Sequence, residues 1–376
     1  MFPSSMFKSN KNEYLKTMKP MLYLMRIICA LPFWIKPQHE IPRFVSSKIV
    51  ASVSIVSCIF FHYHFGSYVL DMLIRTNMAN IVRLVAATGP EMLFELFCLA
   101  IPLIMLSRNK EVQEYWNSWQ QFQKEYENVI GTPFVSRSRK HVNIAALISL
   151  SWLAWRSIYA AWFHYHVFSG IVDFLTNDYL FFSLYVISFY WFANCAYISS
   201  ISEDIRILEQ KIISEKKDHF KLKKLISVWL NLCDISNHFN EAHSFLYLIF
   251  FMLIVISVII YVYALLYYST YKIVYPCTVY INLSSMYVIF LLVICESAHS
   301  TYYQMNYLQK ETLLQENTMK IETAMLKSIS RFLHTVNLRN PTMHLNGFFP
   351  LKRIEFPMVL TLSINYLIIL RQFADQ

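Results

Sequence analysis

The sequence predicts an all-α polytopic membrane protein with seven transmembrane helices, a cytoplasmic N-terminus and a cytoplasmic helical anchor region. Three observations predict it. Hydrophobic residues make up 56% of the 376-residue chain and charged residues only 15%, against roughly 45–50% and 25% in soluble domains. Seven apolar stretches reach the roughly 17–25 residues that a bilayer requires. Lys and Arg also alternate from one connection to the next as the positive-inside rule demands.

Taken in order, residues 1–45 form a cytoplasmic N-terminal segment. The polar, basic start lacks the small-residue cleavage site of a signal peptide, and PMLYLMRIICALPFWI (20–35), broken by Pro32, is expected at the membrane interface or against the bundle. Residues 46–200 carry transmembrane helices one to four, at 46–66, 80–106, 143–168 and 178–200. In 201–245, Ile201, Ile205, Leu208 and Ile212, and then Leu225, Trp229, Leu232, Ile235 and Phe239, recur at helical spacing. Spans four and five are therefore expected to run on as amphipathic cytoplasmic helices. Residues 246–298 hold helices five and six, at 246–268 and 276–298. Residues 299–352 repeat the amphipathic pattern as cytoplasmic anchor helices, and 353–376 carry helix seven, at 354–373.

The segments 1–48, 107–140, 202–245 and 299–352 hold 27 of the 33 Lys and Arg residues. This bias places the N-terminus in the cytoplasm and the C-terminus outside. It also explains the net charge of +9 as a topology signal with some attraction to anionic lipid, rather than as a nucleic-acid surface. The orientation is opposite to that of G-protein-coupled receptors, and neither an Asp/Glu-Arg-Tyr after the third span nor an NPxxY in the seventh is present. The chain has no P-loop, GxGxxG, GxSxG or HExxH, so no enzyme is expected and no cofactor is implied. Seven cysteines without CxxC or paired spacing read as apolar core residues or reduced thiols.

Helix seven carries the sharpest pattern. Thr361, Asn365, Ile368 and Gln372 stand at i, i+4, i+7 and i+11, within about 60° of one another on a helix. Polar groups at membrane depth face a partner helix or water. The stripe therefore suits either hydrogen bonding between helices or a neutral pore lining, with Ile368 as an aliphatic constriction. The outer halves of the middle spans are rich in aromatic residues with polar tips. Trp155, Tyr159 and Trp162 lie in span three, Tyr185 in span four, Tyr261 in span five, and Tyr280 and Asn282 in span six. Such a cluster suits a small organic ligand, although aromatics also pack membrane bundles and form interface belts. FHYH occurs at 61–64 and at 163–166; residues i and i+2 of a helix diverge too far to chelate a metal, so no metal site is expected. Arg83, Glu91, Glu95 and Arg156 are charges inside spans, and Glu–Arg pairing is their expected resolution.

The C-terminal NYLIILRQF (365–373) is similar to the TYhhhhhQF signature, h being hydrophobic, of the insect chemoreceptor superfamily. Tyr366, Gln372 and Phe373 match; Asn365 replaces the threonine and Arg371 one hydrophobic position. FLHTVNLRNPTMHLNGFFPLKRIEF (332–356), with Gly347-Phe348-Phe349 at its turn, resembles the stretch that leads into the family's last helix. VWLNLCDISNHFNE (228–241) and KPMLYLMRIICALPF (19–33) resemble two further family segments, and the chain looks more like the gustatory than the odorant branch. The resemblance implies a plasma-membrane, ligand-gated cation channel, a homo- or hetero-tetramer opened by a small tastant such as a sugar, polyol, amino acid or bitter compound. It implies that the last helix surrounds the pore, with Gln372 and Phe373 at the outer constriction. An odorant receptor channel dependent on a co-receptor and a membrane solute carrier are the alternatives.

Overall fold

The computed structural model describes residues 13–28, 30–31, 33–36, 43–46, 81–131, 137–163, 171–214, 219–270, 274–317, 323–339 and 341–374, with isolated positions between 52 and 67. The expected first span, 46–66, thus falls largely outside the described residues.

Helix α1 (Glu13–Ile27) buries Tyr14, Leu15, Met18, Met21, Leu22 and Met25, so the N-terminal apolar stretch packs on the bundle. It ends well before residue 35. Strands β1 (Phe33–Lys36) and β2 (Arg43–Ser46) follow as an antiparallel pair, with Phe33 opposite Ser46 and Lys36 opposite Arg43. The strand pair was not anticipated in the sequence. Pro32 and Pro37 flank β1 and Pro42 precedes β2, and prolines there deny helix to the residues before them.

Helix α2 (Ile81–Ser107) contains Pro90 and Pro102. At Arg108 the chain swings by 69° into α3 (Asn109–Ile130). The amphipathic spacing of Val112, Tyr115, Trp116, Trp119, Phe122 and Tyr126 turns one face of α3 into the core. Gly131, at φ 75°, ends it: its N–H caps the Glu127 carbonyl at 2.9 Å in a left-handed conformation that glycine adopts without strain.

Helices α4 (Arg139–Phe163), α5 (Ile171–Ser214), α6 (His219–Thr270) and α7 (Val274–Tyr302) form the frame. At 1.5 Å per residue the 52 residues of α6 reach about 78 Å, more than twice a hydrocarbon core. The apolar half of each of α5 and α6 therefore continues without a break into an amphipathic half. Among the described residues, three helices (within α5, α6 and α7) are long and apolar enough to cross a membrane. After α7 a single π-helical turn (Tyr303–Leu308) leads into α8 (Gln309–Asn317) and α9 (Thr323–Arg339). A hairpin of β3 (His344–Leu345) and β4 (Phe349–Pro350) then precedes the final helix, α10 (Glu355–Ala374).

Helix α5 is the hub: every residue from Phe181 to Trp191 is buried. Its polar groups reach its neighbours in turn. Asn194 Oδ1 accepts the hydroxyls of Tyr14 on α1 (3.1 Å) and Tyr115 on α3 (2.6 Å), while its own amide donates to the Tyr190 carbonyl. Tyr247 of α6 donates to the Ile187 carbonyl at 2.8 Å, and the Trp191 indole donates to Ile294 of α7 at 3.2 Å. Tyr14 stacks on Trp119 at 4.9 Å, sealing the junction from water. Farther along, Trp229 of α6 meets Phe332 of α9 edge-on, and Arg339 pairs with Asp234 at 3.5 Å.

Replacing Asn194 with Ala removes an acceptor from two buried hydroxyls, so the variant is expected to lose about 2 kcal/mol of stability. Adding Tyr115→Phe to Asn194→Ala removes one stranded hydroxyl and should recover part of the loss. Thermal melting of the detergent-solubilised single and double variants reads both effects.

Candidate functional site

Helices α4, α5 and α7 converge on a pocket lined by Trp152, Trp155, Phe181, Tyr185, Asn282, Leu283 and Met286. The lining follows from helical spacing: Trp152 and Trp155 lie three apart, Phe181 and Tyr185 four apart, and Asn282 and Met286 four apart, so each pair shares one face. Trp152 stacks on Tyr185 at 5.2 Å, and the edge of Tyr185 meets Phe290 at 4.7 Å. Among the described residues of the lining, Asn282 is the only carboxamide and none is charged. The free space is about 20 Å³, room for roughly one water molecule. A drug-sized ligand needs several hundred Å³, so these walls would have to part to admit one.

Three of the residues singled out in the sequence meet here: Trp155, Tyr185 and Asn282. Tyr261 and Tyr280 do not line the pocket. They belong to an adjoining layer in which Tyr261 stacks on Tyr287 at 5.7 Å and Tyr280 on Tyr268 at 5.5 Å. Tyr287 meets Phe290 at 6.2 Å, so the layer continues the pocket wall into α6. The side chains of Tyr159 and Trp162 lie outside the described residues, as do those of Arg83, Glu91 and Arg156 and the histidines of both FHYH stretches. Trp152, Phe181, Leu283 and Met286 were missed in the sequence; for Trp152, Phe181 and Met286 the one signal was helical spacing from residues already singled out, and Leu283 had none.

On α10, Phe356 and Val359 pack against the core and Ser363 and Leu367 are buried. This row lies about 180° around the helix from Thr361, Asn365, Ile368 and Gln372, all of which are exposed. The Thr361 hydroxyl is satisfied by the Pro357 carbonyl at 2.9 Å. The polar row therefore faces away from the protein's own bundle. Tyr366 is also exposed, and the Phe373 side chain lies outside the described residues.

The hairpin before α10 is held by α6. Asn240, fully buried, donates to the Thr342 carbonyl at 2.9 Å and accepts the His344 N–H at 3.3 Å. Asn346 (φ 49°) and Gly347 (φ 76°) make the two-residue turn, closed by the Phe348 N–H on the Leu345 carbonyl. Both positions are left-handed, the geometry for which Asn-Gly is favoured. The Gly347 N–H donates to His344 Nδ1 at 3.1 Å, a bond that only a neutral imidazole can accept. Burial pulls the His344 pKa below its ordinary value, with Glu241 acting in the opposite direction.

Together, the long apolar helices of the bundle are those of a multi-pass membrane protein. The 7tm chemosensory receptor family model matches residues 18–376, and the chain belongs to that family. Among its relatives is gustatory and odorant receptor 22 of Anopheles gambiae, 22% identical over 96% of this chain and 79% of that protein. Gustatory and odorant receptor 21a of Drosophila melanogaster is 20% identical over 96% of this chain and 81% of its own. In fold, the chain is similar to the insect olfactory receptor OR5 from Machilis hrabei, with a TM-score of 0.62 at 11% identity over 95% of this chain and 98% of that one. The complex of that receptor with eugenol gives 0.64 at 10% identity over the same shares.

Two outcomes follow for the hairpin. Gly347→Ala meets no atom within 4 Å, so its cost is conformational, about 1 kcal/mol, and appears as a lower melting temperature. The folded His344 pKa is depressed, so its stabilising contribution is complete above the ordinary value of 6.5 and is lost as pH falls through the lower folded value. Melting followed from about pH 8 to about pH 5 should therefore fall less steeply in His344→Ala than in the wild type.

Proposed function

We propose that the chain is a gustatory chemoreceptor: a subunit of a tetrameric, ligand-gated, non-selective cation channel of the plasma membrane, opened by a small neutral tastant. One observation carries this reading. Helix α10 seats one row of residues on the bundle and turns Thr361, Asn365, Ile368 and Gln372 away from it. Carboxamides at membrane depth need water or another protein, and a ring of such faces around an axis supplies a hydrated, neutral lining with Ile368 at a constriction. The seven-span topology with a cytoplasmic N-terminus and an extracellular C-terminus belongs to the same proposal, as does the anchoring of subunits through the helices of 201–245 and 299–352.

The pocket narrows the ligand. Aromatic walls, one carboxamide and no charge among the described lining residues favour a neutral, largely apolar molecule over an amino acid or a cationic alkaloid. Binding that parts the walls would stabilise the open conformation by its differential affinity for it. The same apolar character favours one second reading, an odorant receptor subunit, and the relatives' names span both senses. A solute carrier would instead give saturable uptake without conductance.

Whole-cell current from the protein expressed alone, with a panel of sugars, polyols, amino acids, bitter compounds and volatile aromatics, tests the proposal. Ligand-evoked cation current is expected. Ile368→Ala should raise resting leak, Gln372→Ala should alter ion permeability, and Tyr185→Ala should raise the half-activating concentration about tenfold, as the loss of about 1.4 kcal/mol predicts. Uptake without current would overturn the channel reading.

A further inference from the structure

Helix α7 runs from the pocket to the foot of α10. Its outer part supplies Asn282, Leu283 and Met286 to the lining. Ten residues, or about 15 Å, beyond Met286 stands Glu296, whose carboxylate holds Arg353 in a two-pronged ion pair. Arg353 Nε donates to Oε2 at 2.8 Å and Nη2 donates to Oε1. One residue away, the Lys352 ammonium lies 5.1 Å from the ring of Tyr302, two turns farther along α7. Lys352 and Arg353 sit in the turn that starts α10: the Glu355 N–H bonds back to the Lys352 carbonyl and the Met358 N–H to that of Ile354. A shift of α7 at the pocket is thus delivered, through one helix and one turn, to the base of α10.

The contrast with the rest of α10 gives this joint its significance. Phe356, Val359 and Leu367 meet the bundle through apolar contacts, which are non-directional and tolerate tilt or slide. Among the described residues, the Arg353–Glu296 pair is the only side-chain hydrogen bond or ion pair that ties residues 352–372 to another element. Its two bonds fix the guanidinium in plane with the carboxylate. The side chains are 67% and 44% exposed, so the pair is too weak to hold the fold together yet strong enough to bias an equilibrium between two positions of α10.

Resting on the channel reading above, we propose that Glu296–Arg353 is a coupling latch: it holds α10 in its resting position on α7 and is released when ligand displaces the pocket end of α7. The nearly closed pocket, about 20 Å³, assigns the latched arrangement to the ligand-free conformation. Glu296 and Arg353 are positioning residues, acting on the pore through α10 without lining it.

The test is resting cation flux, without ligand, through the full-length protein in proteoliposomes, normalised to folded protein recovered by gel filtration. Glu296→Gln and Arg353→Gln are each expected to raise resting flux about fivefold, the shift an exposed pair supports. Arg353→Lys, which keeps the charge and loses the fork, should fall between them and the wild type. The exchange Glu296→Arg with Arg353→Glu should return flux to the wild-type level. Single variants as tight as the wild type would overturn the latch, and so would an exchange as leaky as either single. Wild-type protein that conducts with the ligand panel while the variants behave identically removes the latch alone. Absence of current from every variant, with and without the panel, removes the channel reading beneath it.

Discussion

A carboxamide in a membrane must be wet or paired, and in the membrane position proposed for α10 its carboxamides find no partner among the described residues of the chain. Asn365 and Gln372 are exposed, whereas the smaller polar groups of the same helix are quenched locally: Thr361 on the Pro357 carbonyl and Ser363 on that of Val359. A hydroxyl is satisfied by one such return to the preceding turn, whereas a carboxamide has further groups to place even when it makes one: the Asn194 amide donates to the Tyr190 carbonyl and its Oδ1 still takes two hydroxyls. The uncovered row therefore implies something beyond the single chain, and the proposed water-filled axis of an oligomer provides it.

The remainder of the molecule is arranged to present that helix. Helix α5 is buried on all sides from Phe181 to Trp191 and is tied by hydrogen bonds to α1, α3, α6 and α7, which makes it a fixed reference. Helices α6 and α7 pack beside it and offer α10 one apolar seat. Buried networks of this kind carry high penalties when broken, while the Arg353–Glu296 pair is exposed and carries a small one. Rigidity is thus concentrated at the hub and freedom at the last helix, a distribution that suits a device in which one element moves against the others.

Much of this was legible in the sequence. The long apolar runs, and the 3.6-residue pattern that continues past them at Ile201–Ile212 and Leu225–Phe239, match α5 and α6 as unbroken helices. The polar row of α10 was visible because helical periodicity alone brings Thr361, Asn365, Ile368 and Gln372 to one face. The strands at 33–36 and 43–46 were not, since runs of four residues are too short to carry a period. The pocket was legible as a group and not by member. Composition flagged Tyr261 and Tyr280 as readily as Tyr185, and only the register between α4, α5 and α7 decides that Trp152, Phe181, Leu283 and Met286 line the cavity instead. Glu296 and Arg353 lie 57 residues apart, and no local pattern links them.

The most direct test of the account is water accessibility along α10. Single cysteines at Thr361, Asn365 and Ile368, and at Ser363 and Leu367 on the opposite face, are exposed to a membrane-impermeant thiol reagent applied to both faces of the membrane, so that residues on either side of the Ile368 constriction are reached, with the native protein as background. Thiolate, the reactive form, requires water. Rapid labelling at 361, 365 and 368 with protection at 363 and 367 is the predicted result. Labelling at none of the five, or equal labelling at all of them, would mean that the polar face does not line water, and would contradict the account.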